Sequence, residues 1–511
     1  MDAPLNEAAL QPGRTEATPR GGVALITALA FAFAAAVAWA TAPYGPGGWH
    51  FAMNNIAAAD HLLAGEGLIQ SRGNPFLSWP PLMPALIAGM KWCGLRYVEA
   101  TWWIAIAAAF VTSYFHGRLL LELSRRTWVA AVGLTLLWIA PGFFRLMCST
   151  LSQPLFIALS SAGAWALMRW TVAPSTRLAV ALGLLGMAAS LHRYDGLVFI
   201  PVCALVMVSA PRGAPLARRV GRAALVAAIA AAPLLAWLGR NRAVSGSWTG
   251  ERVASSTTLL EQCADVALMA RVALAPGLDA DSTAAVLALV LLAALAIGWA
   301  VSATRRGERA QVLSAFVFPV VYGAALISMA SRVEMDRLSD RLAAPLTPPL
   351  VAAAVLGLSE AGWWSRGAAS LRRWGPVLLC GGYTLIAVAM RASATVGVAG
   401  ELRADGAGGF ASARWLDSEL ARWLRANPLE GAMFSNAPEA VLLGADRMPQ
   451  WLDGDDFAET LDSVDGPRVL VLSLARRRDR RLLERVAESY RLTPVVEFAE
   501  AGVYRVEGRV E

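Results

Sequence analysis

Long apolar runs separated by short, arginine-bearing connections dominate the chain as far as residue 392. A bilayer-crossing helix needs about 20 mostly apolar residues. Runs of this kind, some of them shorter, lie at 22–42, 99–124, 127–144, 153–168, 178–191, 196–210, 222–239, 282–303, 310–330, 342–358 and 375–392. The pattern predicts eleven spanning helices. The short runs 178–191 and 196–210 are joined by His192-Arg193-Tyr194-Asp195-Gly196. The stretch 81–95 is also apolar, but it is short and holds Pro81, Pro84 and Lys91, so it reads as a segment lying along the outer membrane face. From residue 393 the pattern changes. ASARWLDSELARWLRAN has helical spacing; MFSN, PRVLVLSL and VVEFAEAGVYRV read as short strands; and ARRRDRRLLERVAESY reads as a charged amphipathic helix. Alternating strand and helix predict a small α/β domain over 393–511.

Composition agrees with this division. The 511 residues are 56% apolar and 16% charged, against about 25% charged in a soluble domain. Basic residues outnumber acidic ones before residue 393, and the balance reverses after it. The chain has one lysine, Lys91, and five scattered cysteines without a CxxC pair, which argues against a disulfide framework or a zinc site. The basic excess is spread over short loops, so nucleic-acid binding is not read from it.

Arginine placement sets the orientation. With residues 1–21 as a cytoplasmic tail, the cytoplasmic connections collect Arg14, Arg20, Arg125, Arg126, Arg169, Arg177, Arg212, Arg218, Arg219, Arg222, Arg305, Arg306, Arg309, Arg366, Arg372 and Arg373. The region 22–392 is then a membrane domain, with a long external loop at 43–98 that carries interfacial helices. The domain 393–511 lies outside the cytoplasm. The first run is too long for the apolar core of a signal peptide and follows an acidic tail.

Candidate chemistry gathers on the external side. Arg193 stands beside Asp195, Arg240 and Arg242 lie in RNRAVSGSWTGER, and Arg337 and Arg341 lie in SRVEMDRLSDR. Guanidinium groups at this depth suit a phosphorylated lipid ligand; the plainer reading is anchoring to anionic lipid together with local ion pairs. In the first loop, His50, Asn54 and His61 share one face of a helix that Gly65 or Gly67 ends. His50 and His61 are separated by about 16 Å along that helix and cannot ligate one metal. A polar stripe of this kind also fits the wet face of an interfacial helix.

These segments resemble, in order, the C-type superfamily of membrane glycosyltransferases, which includes protein mannosyltransferases and aminoarabinose transferases. The likeness runs through AADHLLAGEGL…NPFLSWPPLMPAL, LSQPLF, HRYDGL, RNRAVSGSWTG, DRLSDRLAAPLTP and WLDSELARWLRANP…MFSNAPEAVLLGADR. It implies a polytopic α-helical fold with an external α/β domain, in the cytoplasmic (inner) membrane of a bacterium. The implied activity is transfer of a sugar from a polyprenyl-phosphate donor to a glycan, lipid or protein acceptor at the outer face, with a divalent cation in some members. The chemistry calls for a carboxylate to take the acceptor proton and cations to hold the departing phosphate.

The chain departs from the family pattern at two places. No carboxylate occurs between Tyr44 and Asp60, and Ser152-Gln153-Pro154 stands where an acidic SEP is usual. Three readings follow. The base has moved to Asp60, His50 or Glu66; Asp195 or Asp336 supplies it; or the protein is a non-catalytic binder of lipid-linked sugars or an assembly partner. Asp60, then His50, are the leading catalytic candidates, with Asn54, Arg193, Asp195, Arg240, Arg242, Arg337 and Arg341 as substrate-binding residues. A polysaccharide transporter fits less well, because the chain has no internal repeat and almost no acid within its spans.

Overall fold

The structure is a computed structural model. It describes residues 20–209, 215–274, 283–334, 338, 340–359, 369–452, 454 and 456–510; Arg337 and Asp336 lie outside the described residues. The described parts of the eleven predicted runs are mainly helical. The first is α1 (Arg20–Thr41), followed by α2 (Trp49–Leu63) and α3 (Leu82–Trp92) in the first loop. Then come α4 (Tyr97–Ser124), α5 (Thr127–Trp138), α6 (Pro141–Met147), α7 (Ser152–Val172), α8 (Thr176–His192), a 3₁₀ turn (Tyr194–Val198) and α9 (Phe199–Ser209). The membrane region continues through α10 (Leu216–Ser245), α11 (Leu259–Leu274), α12 (Thr283–Arg305), α13 (Arg309–Ala330), α14 (Asp340–Ala343), α15 (Thr347–Ser359) and α16 (Ala369–Ala404). Eight of the described helices are long and apolar enough to cross a membrane, or nine if α5 and α6 form one bent span. Helix α8 and the segment 194–209 are shorter apolar helices, so length and composition do not reach the expected eleven.

Three departures from the sequence reading have local causes. The run 127–144 is not one straight helix: α5 and α6 meet at 80°, because Pro141 has no N–H to continue the α5 ladder and instead starts α6. Helix α11 was not expected, since its apolar stripe is interrupted by Glu261, Asp265 and Arg271. Helix α16 continues to Ala404, past the expected boundary at 392, because its polar last turns still favour helix after the apolar run has stopped.

After the membrane region come α17 (Ala413–Leu416) and α18 (Glu419–Ala426), with Ser418 capping α18 by accepting from the Ala421 N–H at 3.2 Å. The α/β domain then runs β1 (Ala432–Ser435), α19 (Pro438–Ala445), β2 (Gln450–Trp451), α20 (Phe457–Asp462), β3 (Arg468–Ser473), α21 (Arg477–Ser489), β4 (Tyr490–Phe498) and β5 (Ala501–Arg509). The five strands lie in the order β2-β1-β3-β5-β4; β1 is parallel to β2 and β3, and β5 is antiparallel to β3 and β4. The expected single strand VVEFAEAGVYRV is a hairpin turning at Ala499 and Glu500. Outside the membrane region, hydrogen bonds from Arg509 and Tyr490 hold the Asp462 carboxyl below the usual carboxylate range.

The first loop seats the α/β domain. Lys91 Nζ donates to Asp446 at 2.6 Å, the Tyr97 N–H donates to the same carboxylate at 2.8 Å, and the Trp451 N–H reaches the Ser71 carbonyl at 3.4 Å. Gly47 closes the contact. A Cβ there would stand 2.5 Å from that of Ala407, so only glycine lets the two backbones approach.

Candidate functional site

At the end of the helical body that carries the α/β domain, several distant segments converge on the start of α7. The Gly47 N–H donates to the Cys148 carbonyl at 2.9 Å, and the Thr150 N–H returns a bond to Gly47 O at 2.7 Å. Gly48, in the left-handed region at φ 81, then turns the chain into α2. Two residues after Thr150, Ser152 Oγ accepts from Arg193 at 2.7 Å, and its carbonyl meets His192 Nε2 at 2.6 Å. The Arg193 guanidinium also donates through Nε and a terminal nitrogen to Asp195, both at 2.9 Å. Tyr322 Oη donates to Asp195 at 3.1 Å and lies 3.4 Å from the Leu342 carbonyl. Asp195, Tyr322 and His192 are buried, so this is a polar knot in an apolar setting, with the Asp195 carboxylate fully engaged and His192 Nδ1 without a partner among the described residues.

Gly196 makes the knot possible, since a Cβ there would lie 2.3 Å from the carbonyl carbon and oxygen of Ala189. Gly196→Ala must therefore push the 3₁₀ turn off α8 and carry Asp195 with it. The expected result is a loss of about 1–3 kcal/mol, typical of overpacking, read as a lower melting temperature in detergent. A melting temperature equal to that of the parent chain would show that this close approach is not required.

The predicted site residues fall into three places. Arg193, Asp195 and the segment opened by Arg341 meet around Ser152, and Arg341 itself is half-buried. His50 and Asp60, both on α2, do not share a partner. His50 Nδ1 bonds Glu439 of α19 at 3.1 Å, its own side chain 70% exposed and that of Glu439 only 7%. Asp60 accepts from the hydroxyl of Tyr97, and ten residues of helix separate the pair by about 15 Å. The remaining residues brace the backbone. Asn54 Oδ1 accepts from Ser71 Oγ at 2.8 Å. Arg240 donates to the carbonyls of Phe76 and Leu68 at 3.0 and 3.4 Å and stacks on Trp237. Arg242 caps the C-terminus of its own helix through the Gly246 carbonyl.

Glu439 was not visible to sequence reasoning. It follows Pro438 at the start of α19, a position that reads as ordinary helix-start chemistry, and 389 residues separate it from His50. A histidine whose Nδ1 is held by a buried carboxylate, and whose neutral form carries its lone pair on Nε2, is an oriented proton acceptor.

Two cavities adjoin these groups. A polar cleft of about 590 Å³ between α2 and the α/β domain is lined in part by His50 and Glu439. An apolar groove of about 300 Å³ lies between α6, α11, Ala344 and Thr347, with Arg391 at its edge. Among the described residues, no three His, Cys, Asp or Glu side chains are grouped to hold a metal ion.

No family model and no curated protein matches the chain. Solved structures do. ArnT from Cupriavidus metallidurans in the apo state matches with 14% identity and a TM-score of 0.58, covering 95% of this chain and 98% of that one. The same protein bound to undecaprenyl phosphate matches with 13% identity and a TM-score of 0.59, over the same shares. The Archaeoglobus fulgidus oligosaccharyltransferase tethered to an acceptor peptide matches with 11% identity and a TM-score of 0.48, covering 96% of this chain and 76% of that one. At these identities the likeness shows that the chain shares the fold of ArnT, and its apolar helices identify a multi-pass membrane protein.

Proposed function

We propose that this chain is a membrane glycosyltransferase that moves a sugar from a polyprenyl-phosphate carrier to an acceptor at the outer face of the cytoplasmic membrane. The observation that carries the reading is the His50–Glu439 pair at the edge of a polar cleft, on the loop that packs against the α7 knot. The acceptor hydroxyl attacks the anomeric carbon, the bond from that carbon to the phosphate oxygen breaks, and polyprenyl phosphate departs with the bond's electrons. His50 Nε2 takes the hydroxyl proton, while Glu439 stabilises the imidazolium that forms. Arg341 and Arg193 supply positive charge on the phosphate side. The apolar groove beside Ala344 and Thr347 suits the first isoprene units of the carrier.

His50 is preferred to Asp60 as the base because it borders the polar cleft, which the Asp60 side chain does not line. The test is transfer from a radiolabelled panel of polyprenyl-phosphate sugars by purified protein. His50→Ala is expected to lower transfer by about 10²–10⁴-fold with donor binding retained, and Asp60→Ala to leave most of it. Full transfer by His50→Ala would remove His50 from the mechanism, and loss confined to Asp60→Ala would restore Asp60. A second reading, a non-catalytic binder of lipid-linked sugars, draws on the missing carboxylate before Asp60 and on Gln153 in place of the usual acid. It predicts saturable donor binding without transfer to any acceptor in native membranes.

A further inference from the structure

A small cavity inside the helical body is not used by the transfer reading. It lies where α4, α7, α13 and α15 meet, and its volume is about 30 Å³. That is enough for a water molecule, which needs roughly 10–15 Å³. Most of the wall is apolar, with Ile157, Phe318 and Leu356 among the lining. His116 of α4 and Ser160 and Ser161 of α7 interrupt it. All three side chains are buried and lie well inside their helices, cut off from bulk solvent.

Two of these side chains have bonding capacity to spare. His116 Nε2 and Ser160 Oγ make no hydrogen bond among the described residues. A neutral imidazole nitrogen is either a donor or an acceptor, and a hydroxyl is both, so the shortfall holds in either tautomer. Groups of this kind are rarely left bare in an apolar interior, because burial costs them their hydrogen bonds to solvent. A third group comes from the backbone. Pro319 lies inside α13 and has no N–H to offer the Ala315 carbonyl one turn earlier; both residues line the cavity. Three helices therefore each bring an atom without its usual partner to one small space.

From this convergence we infer that the cavity binds a water molecule, which bridges His116, Ser160 and the Ala315 carbonyl. A buried water typically makes about three hydrogen bonds, the number on offer here. It serves donors and acceptors alike, so it suits either tautomer of His116. An apolar ligand would leave all three atoms bare, and a cation would meet no carboxylate among the described lining residues. The site adjoins the polar knot through two elements. Pro319 stands one turn before Tyr322, whose hydroxyl engages Asp195. Pro345 belongs to the segment that follows Leu342, whose carbonyl approaches the same hydroxyl. None of the bridged groups takes part in the proposed transfer, so a failure of sugar transfer does not bear on the water site.

The test uses full-length protein carrying nitrogen-15 histidine in hydrated bilayers of deuterated lipid. Solid-state NMR then reads the transfer of polarisation from water protons to the imidazole nitrogens. The chain has four histidines, and the signals lost in His116→Gln identify this one. The expected result is water transfer to the His116 ring, lost in Ser160→Val, where a methyl group takes the place of the hydroxyl. Absence of transfer in the parent chain overturns the inference, and so does transfer that persists unchanged in Ser160→Val. If Ser160→Val does not fold, radiolysis in oxygen-18 water gives the answer on the parent chain alone. Hydroxyl radicals react beside the water that forms them, so oxygen-18 in the buried Phe318 ring supports the site, and an unlabelled Phe318 overturns it.

Discussion

Asp195→Ala is expected to lower stability by about 3–5 kcal/mol, the usual result of leaving one member of a buried ion pair without its partner. The substitution removes the acceptor of three Arg193 bonds and of the Tyr322 hydroxyl. Arg193, with a side chain only 14% exposed, is then left charged beside Phe156 and the Ser152 hydroxyl. The pair Arg193→Met/Asp195→Leu should recover much of the loss, because it removes both charges and keeps the volume. This cycle also separates two roles for Arg193. If the guanidinium touches the donor phosphate, the double variant binds polyprenyl phosphate about tenfold or more weakly despite its restored melting temperature. If Arg193 only positions the start of α7, donor affinity returns with stability. A single variant as stable as the parent would sink the view that this knot holds α7, α8 and α13 together.

The second large effect belongs to the opposite end of the body. The Glu122 carboxylate, 5% exposed, accepts from Arg118 at 2.9 Å, from Arg169 at 3.2 Å and from the indole of Trp165 at 2.9 Å. It stands between two cations, Arg118 of α4 and Arg169 of α7, and joins the two helices. Glu122→Ala should cost about 3–5 kcal/mol for the same reason, measured as a fall in melting temperature in detergent. Glu122→Gln should cost less, since its amide oxygen still accepts while the repulsion of the two arginines goes uncompensated. Because this cluster lies far along α7 from Ser152, transfer per folded molecule should be unchanged. A matching loss of transfer would mean that the two ends of α7 are coupled.

Most helices of the membrane region were legible because a long apolar run must bury itself in lipid or protein, whereas α11, its stripe broken by charges, and the bend between α5 and α6 were not. Contacts between distant segments were not. Arg240 has the composition of a phosphate ligand, yet its guanidinium braces the carbonyls of Phe76 and Leu68; sequence gives the charge but not the direction in which it points. The His50–Glu439 pair depends on how the α/β domain docks, and no local period records that. The hairpin of β4 and β5 was hidden because Ala499 and Glu500 are not strong turn formers. Around Arg193 the reading went further: the adjacency of Arg193 and Asp195 already implied an internal pair, and only its links to Ser152 and Tyr322 needed the fold.

Lys91 is the single lysine of the chain, and its ammonium joins the first loop to the α/β domain through Asp446 while lying 4.4 Å from the Tyr97 ring centre. Side-chain amine chemistry on this protein therefore has one address. Reductive methylation with carbon-13 would place a lone side-chain resonance at that contact, shifted by the aromatic ring current when the domain is seated and displaced when it lifts. The seam between membrane and α/β domain thus carries its own spectroscopic gauge, one that needs no engineered label.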